Sequence, residues 1–155
     1  MHLGDLISPE AVVPSLKAQS KKQLLQDLAA RAARIAGLQE RDVFDVLWQR
    51  EQLGSTGLGQ GVAIPHGKLG GLNRIVGLFA RLSEPVEFDA VDGEPVDIVF
   101  LMLAPEGAGA DHLKALARIS RLLREGPAVD KLRASKDAAA LYAVLTQEET
   151  SSHAA

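Results

Sequence analysis

One histidine, His66, lies in the most glycine-rich part of the chain. The surrounding stretch reads GSTGLGQGVAIPHGKL and carries alternating glycines at Gly57, Gly59 and Gly61. Glycines in an ordered segment cost conformational entropy, and they are used where the backbone needs a positive φ or a close approach. Successive turns of this kind present backbone N–H groups to an anion. Because a neutral imidazole is a competent nucleophile near pH 7, we expect a phosphoryl group held on or beside His66.

Further polar groups near His66 could stabilise such an anion. Two hydroxyl donors, Ser55 and Thr56, precede the alternating glycines, and Arg50 adds a fixed charge. Arg50 falls three residues after Leu47 on the apolar stripe of a predicted helix, so its guanidinium requires a partner. The predicted phosphoryl-stabilising residues are Ser55, Thr56, Gly57, Gly59 and Gly61.

The glycine segment does not match the known nucleotide-binding loops. A Walker loop needs four residues between its glycine and Gly-Lys, but five separate Gly61 from Gly67, and Leu69 stands where Ser or Thr is required. A dinucleotide fingerprint would need a glycine at Val62. The four histidines, at positions 2, 66, 112 and 153, are far apart in sequence and form no metal motif. We therefore expect neither a cofactor nor a metal.

Composition excludes several classes of function. A chain of 155 residues with 46% hydrophobic content suits one compact domain. The net charge of -3 comes from 17 basic and 20 acidic residues that are well mixed, which disfavours nucleic acid and anionic membranes as partners. There is no cysteine, so disulfides and thiolate chemistry are excluded, and a reducing cytosol is compatible. No stretch approaches the ~18 apolar residues of a membrane span, so we expect a soluble protein without membrane insertion.

Two helices are predicted before the glycine segment. The first covers residues 20–37, with a capping box formed by Ser20 and Gln23 and a stop at Gly37. The second runs from residue 40 or 41 to Leu53 and ends at Gly54. Its predicted buried stripe is Val43, Val46, Leu47 and Leu53.

The rest of the chain alternates strands and helices. Residues 74–82 and 95–104 read as buried central strands, joined by an irregular excursion or an edge hairpin, and a short strand covers 62–64. A helix capped by Asp111 follows to about Arg124, with a stripe of Leu113, Leu116, Ala117, Ile119, Leu122 and Leu123. Short helices at 128–133 and 136–146 complete a domain spanning 1–147, and 148–155 form a flexible tail. The predicted fold is a single α/β domain with a mixed sheet and helices on both faces.

A resemblance to a known family rests on these same motifs. The stretch REQLGSTGLGQGVAIPHGKL, residues 50–69, resembles the signature of enzyme IIA of the bacterial phosphotransferase system, in the fructose/mannitol superfamily and nearest to its nitrogen-regulatory branch. The likeness continues through FDAVDGEPVDIVFLMLAPEGAGADHLKALARIS, residues 88–120, and covers most of the chain. It implies a sheet of about five strands flanked by helices.

The resemblance also implies a function and residue roles. It implies a cytoplasmic phosphoryl carrier that accepts its group from an HPr-like phosphocarrier protein onto Nε2 of His66. The family's active-site arginine falls on Arg50, and its second active-site histidine falls on His112. The phosphorylation state would regulate target proteins, such as potassium transporters or sensor kinases.

Other interpretations stay open from the residues alone. His66 could be an ordinary turn histidine, His112 a solvated residue at a helix start, Arg50 a side chain that snorkels over a helix end, and Ser55 and Thr56 turn caps. Glu51 reads as a solvated residue or an arginine partner. Two alternative functions are a sugar-specific enzyme IIA that serves a permease IIB component and a binding module that acts regardless of phosphorylation.

Overall fold

The computed structural model describes residues 2–154, with side chains for residues 2–147. Within residues 2–154 the protein has six strands and five α-helices. Its strands are β1 (Val12–Leu16), β2 (Gly57–Gly59), β3 (Val62–Ala63), β4 (His66–Leu69), β5 (Val76–Val86) and β6 (Val96–Pro105). Its helices are α1 (Lys21–Ala36), α2 (Glu40–Gln52), α3 (Ala110–Leu122), α4 (Gly126–Ala134) and α5 (Ala138–Ala154). The predicted single α/β domain with a mixed sheet is confirmed.

Strand β6 is the centre of the sheet. It pairs antiparallel with β5 on one side and parallel with both β3 and β4 on the other. β1 extends the sheet beyond β5 in parallel, and β2 closes the other edge as an antiparallel partner of β3. Every residue of the run 98–104 is buried, as expected for a strand covered on both faces. Its continuous apolar sequence explains why the central position was predictable.

β3 and β4 together occupy one strand position beside β6. Ala63 pairs with Val99 and His66 pairs with Met102, so the two segments run along the same neighbour. Pro65 between them has no N–H to donate to the ladder, although its carbonyl accepts from Met102 N at 2.9 Å. The sheet thus has five strand positions, as the resemblance implies. The interruption places His66 at the first residue of β4.

Helices α1 and α2 form a pair that packs beside the site. The Ser20 side chain accepts from Gln23 N at 3.1 Å, and Gly37 ends α1 with a φ of 72°, so the predicted N-cap and stop are confirmed. The predicted capping box is not closed, because the Gln23 side chain accepts from Gln19 N at 2.6 Å and not from Ser20 N. α1 packs on β5 and α2 packs on β4. The last turn of α2 therefore lies next to the strand that begins at His66.

Several details differ from the sequence-based expectation. Leu53 is 85% exposed, Leu113 is 66% exposed and Ala117 is also exposed, so all three leave the predicted buried stripes. Leu53 is the C-cap of α2 and lines the cleft that contains His66. Asp111 is the second residue of α3 rather than its cap, because Gly109 precedes the helix. β5 continues to Val86, where an irregular segment was expected.

The end of the chain is described only in part. α5 extends to Ala154 and is longer than the predicted 136–146. The tail predicted for residues 148–155 lies outside the residues whose side chains are described, and it stays a prediction.

Two leucines at the end of α2 test which side chains hold this helix on the sheet. Leu47 is fully buried, so Leu47→Ala should lower the free energy of unfolding by about 2–5 kcal/mol through lost burial and a cavity. Leu53→Ala is the matched control and should change it by less than about 0.5 kcal/mol. Urea unfolding measures both. Equal losses for the two variants would contradict the observed burial.

Candidate functional site

The His66 ring is held by one backbone hydrogen bond. Its Nδ1 lies 2.8 Å from the carbonyl oxygen of Ile64, two residues earlier. A carbonyl only accepts, so Nδ1 carries the proton in the neutral ring and donates it to Ile64 O. The remaining nitrogen, Nε2, then carries the lone pair. The backbone around Pro65 thus selects the tautomer in which Nε2 is the nucleophile.

A second histidine lies across from the first. His112, in the first turn of α3, has its ring centroid 5.8 Å from that of His66, with the planes tilted by 50°. The Nδ1 atom of His112 is buried and has no hydrogen-bond partner among the described residues. Residues 46 positions apart in sequence are brought together because β4 and the start of α3 lie at the same end of β6. The structure therefore places His112 where a group on His66 could meet it.

Arg50 completes the charged part of a cleft. Its Nη1 donates to Gly54 O at 2.9 Å, which bends the half-buried side chain back over the end of α2. The cleft has a volume of about 500 Å³ and contains both histidines together with Lys68. Its other lining residues are Val46, Gln49, Leu53 and Gly67. A larger open cleft of about 640 Å³, lined by Asp5, Arg74 and Asp111 among others, contains no histidine.

Burial sets the charge state of both rings. Desolvation lowers the pKa of His66 below its ordinary value, the Ile64 hydrogen bond opposes this, and the positive charge of Arg50 lowers the pKa further. Desolvation also lowers the pKa of His112, with contributions from His66 and Lys68. A lowered histidine pKa favours the neutral ring near pH 7. His66 is therefore poised as a nucleophile rather than as a cation.

Gly67 allows α2 to approach β4. A Cβ built on Gly67 would collide with Cγ1 of Val46 on α2. The glycine after the histidine is therefore required by close packing, although its φ is not positive. Any larger residue there would push α2, and with it Arg50, away from His66.

The predicted hydroxyl donors are already engaged elsewhere. Thr56 is buried, and both its amide and its hydroxyl donate to the carboxylate of Glu51. Ser55 Oγ donates to Phe88 O at 2.8 Å and accepts from Gly57 N at 3.0 Å. These contacts hold the loop between α2 and β2. The structure does not bring either hydroxyl into the His66 cleft.

The alternating glycines form the β2–β3 hairpin rather than the cleft wall. Gly59 and Gly61 have φ values of 100° and 81°, so the expected positive φ is present at both. A Cβ on Gly61 would meet the Arg133 guanidinium, and one on Gly57 would meet Ala90 at 2.7 Å. Close approach therefore explains these glycines, but the approaching groups are protein side chains.

Glu51 is the site residue that sequence reasoning misjudged. Its side chain is only 1% exposed, where a solvated residue or an arginine partner was expected, and it pairs with Lys21 Nζ at 2.9 Å. The predicted helix did carry a signal, since Val43, Leu47 and Glu51 are spaced by four residues on one face. The position of Glu51 on that face did not indicate that its partner is Lys21, on α1.

Neither a membrane-spanning helix nor a metal cluster is present among the described residues. No helix among them is long and apolar enough to cross a membrane. No cluster of three or more acidic or histidine side chains in the same part of the chain could hold a metal ion.

Comparison with known proteins gives a consistent result. The family model for the phosphoenolpyruvate-dependent sugar phosphotransferase system, EIIA 2, matches residues 5–148. A nitrogen regulatory protein from Bradyrhizobium diazoefficiens is 64% identical over 145 residues, which are 94% of this chain and 95% of the relative. The nitrogen regulatory protein of Escherichia coli is 36% identical over 96% of this chain and 92% of its own.

Solved structures share the fold. The crystal structure of the nitrogen regulatory protein IIA-Ntr from Neisseria meningitidis superposes with a TM-score of 0.89 at 39% identity, covering 93% of this chain and 99% of the other. The mannitol IIA of Escherichia coli superposes with a TM-score of 0.74 at 18% identity, over 89% and 97% of the two chains, which shows a common fold.

The charge of Arg50 should be visible in the titration of His66. Since that charge disfavours the imidazolium, Arg50→Met should raise the pKa of His66, so that the ring becomes protonated at a higher pH than in the unmodified protein. An NMR titration of the His66 ring measures this. Arg124→Met, at an exposed arginine outside this cleft, is the control and should leave the titration unchanged. A pKa that stays constant or falls in Arg50→Met would refute the assigned geometry.

The packing of Gly67 against Val46 can be tested by a rescue. Gly67→Ala should destabilise the protein by about 1–3 kcal/mol, because its new methyl group collides with Val46. Val46→Ala in the same chain removes Cγ1 and should restore part of that loss, a coupling that denaturant unfolding of the two single variants and the double variant measures. Strictly additive effects would mean that the two residues do not limit the approach of α2.

Proposed function

We propose that this chain, which belongs to the EIIA 2 family of the phosphoenolpyruvate-dependent sugar phosphotransferase system, carries a phosphoryl group on Nε2 of His66. The observation that carries the proposal is the hydrogen bond from Nδ1 to Ile64 O. It leaves Nε2 as the unprotonated nitrogen of a ring that is neutral near pH 7. Family membership supplies the class of reaction, and this ring supplies a nucleophile suited to it.

The transfer step balances without a further reactant. The Nε2 lone pair of His66 attacks the phosphorus of a phosphohistidine on the donor protein, a P–N bond forms, and the donor's P–N bond breaks in line with it. No proton has to leave His66, because its Nδ1–H remains bonded to Ile64 O. The donor imidazole departs with the electron pair. The chain's contribution is positioning and charge stabilisation of the equatorial oxygens.

Arg50 and His112 are the side chains proposed to contact those oxygens. Both line the cleft that contains His66, and Arg50 brings a permanent charge. The His112 ring has no polar anchor at Nδ1, so it can turn towards a phosphoryl oxygen. The loop residues Ser55, Thr56, Gly57, Gly59 and Gly61 are proposed to act indirectly, by holding the peptide around Ile64.

The nitrogen-regulatory branch is the proposed biological setting. Relatives that are 64% and 36% identical to this chain are named nitrogen regulatory proteins. A fructose-specific EIIA component from Haloferax volcanii is 34% identical over 92% of this chain. We place the protein in the cytoplasm of a bacterium, with an HPr-like phosphocarrier as donor and regulated proteins as targets. Potassium transporters and sensor kinases are two target classes of this kind.

Phosphorylation in a reconstituted system tests the site. Incubation with phosphoenolpyruvate, enzyme I and the cognate phosphocarrier should label the protein with acid-labile, alkali-stable phosphate. His66→Ala should take up none, because the proposal places the phosphoryl group on Nε2 of this ring and gives His112 and Lys68, which line the same cleft, no covalent role. Equal labelling of His66→Ala and the unmodified protein, or no labelling of either, would refute the proposal.

The contribution of Arg50 can be separated from its effect on the His66 pKa. At pH 8.5, where the His66 ring is neutral in both proteins, Arg50→Met should slow phosphorylation by about 10²–10³-fold through loss of a preorganised donor. A rapid-quench time course measures the rate. A rate within about twofold of the unmodified protein would remove Arg50 from the site.

A phosphorylation-independent binding module is the competing function. It predicts that His66→Ala and the charged mimic His66→Asp bind a target as the unmodified protein does. The carrier proposal predicts different affinities for the two variants.

A further inference from the structure

A chain of hydrogen bonds connects the first turn of α1 to the nucleophile. Lys21 Nζ lies 2.9 Å from Glu51 Oε1, and the same carboxylate accepts the Thr56 amide at 3.0 Å and the Thr56 hydroxyl. The carbonyl of Thr56 accepts from Ile64 N at 3.1 Å. The carbonyl of Ile64 accepts from His66 Nδ1.

From this chain we propose that Glu51 is a positioning residue for His66. It holds the amide and hydroxyl of Thr56, and the carbonyl of Thr56 in turn holds the amide of Ile64. Residue 64 is thereby positioned so that its carbonyl accepts from Nδ1 of His66 and selects the Nδ1–H tautomer. The inference deepens the proposed function of His66 and rests on it for its kinetic consequence. Its structural consequence, the tautomer of the ring, stands independently of any phosphorylation.

Burial restricts the movement of the Glu51 side chain. The Glu51 side chain is 1% exposed, and that of Lys21 is 15% exposed. A buried carboxylate is tolerated only when its oxygens are fully paired, so Glu51 cannot exchange Thr56 for water at low cost. Lys21 is itself restrained, because its Nζ lies 4.5 Å from the centroid of the Phe88 ring. The contacts of Glu51 with Thr56 lie outside α2, so they hold the loop after the helix rather than the helix itself.

A second set of contacts, in the neighbouring β2–β3 hairpin, provides the contrast. Arg133 pairs with Asp97 and donates to Gln60 O, which holds the tip of this hairpin. These contacts connect to no atom of His66 or Ile64 among the described contacts. Asp97→Asn should therefore cost stability through the hairpin without moving the His66 ring.

The test compares variants of Glu51 with that control. Glu51→Met keeps the volume and removes both acceptors. Glu51→Gln loses the charge but keeps one oxygen to accept from the Thr56 amide, and its NH2 group can donate to the Thr56 hydroxyl oxygen. Long-range ¹H–¹⁵N NMR of the unphosphorylated full chain at pH 8.5 reports the fraction of His66 in the Nδ1–H form. We expect that fraction to fall in Glu51→Met, to recover in Glu51→Gln, and to stay at the unmodified value in Asp97→Asn.

Phosphorylation rates give the second readout. Glu51→Met should be slowed about tenfold, since displacement of a reacting group by a fraction of an ångström is costly, and Glu51→Gln should recover most of that rate. If Glu51→Met does not fold, Thr56→Val decides. It removes the hydroxyl contact with Glu51 Oε2 and keeps the Thr56 amide contact and the Lys21 pair, so the Nδ1–H fraction should fall by less than Glu51→Met would lower it. A folded Glu51→Met or Thr56→Val with the tautomer fraction of Asp97→Asn would overturn the inference. Failure of the unmodified protein to accept phosphate would refute the proposed function, while the tautomer comparison would still stand.

Discussion

The arrangement of the His66 site depends on the orientation of one peptide carbonyl, that of Ile64. Ile64 O faces Nδ1 of His66 and turns an ambiguous imidazole into one with a defined donor and a defined lone pair. Pro65, between the two residues, breaks the strand beside β6 so that the chain can make this local contact and then resume pairing at His66. Burial and Arg50 keep the ring neutral. Backbone geometry thus determines which ring nitrogen of His66 carries the lone pair, and the charge of Arg50 helps to lower the pKa of the ring.

Most of the fold was predictable because its signals are local or strongly periodic. The N-cap at Ser20, the stop at Gly37 and the apolar run of β6 each correspond to an observed boundary or a buried strand. Leu53 and Leu113 show the limit of such reasoning. Helical spacing places them on a stripe, but both are exposed, and Leu53 lines the cleft that contains His66. Periodicity does not record where a protein keeps a face free.

The proximity of the three proposed site residues was predictable, whereas the contacts that support them were not. His66, Arg50 and His112 line one cleft, and their roles in it stay a proposal. The glycines, in contrast, accommodate Ala90, Arg133 and Val46, contacts that join distant parts of the chain. Glu51 was misjudged for the same reason, since its lysine partner lies 30 residues earlier on another helix. Tertiary pairing of a buried charge leaves no local pattern in a single sequence.

The identity of the phosphorylated nitrogen is the most direct test of this account. Phosphorylated protein labelled with ¹⁵N at histidine would be examined by NMR for coupling between phosphorus and the ring nitrogens of His66. The account predicts that phosphorus is bonded to Nε2, with Nδ1 still protonated and donating to Ile64 O. Phosphorus on Nδ1, or on any residue other than His66, would contradict it.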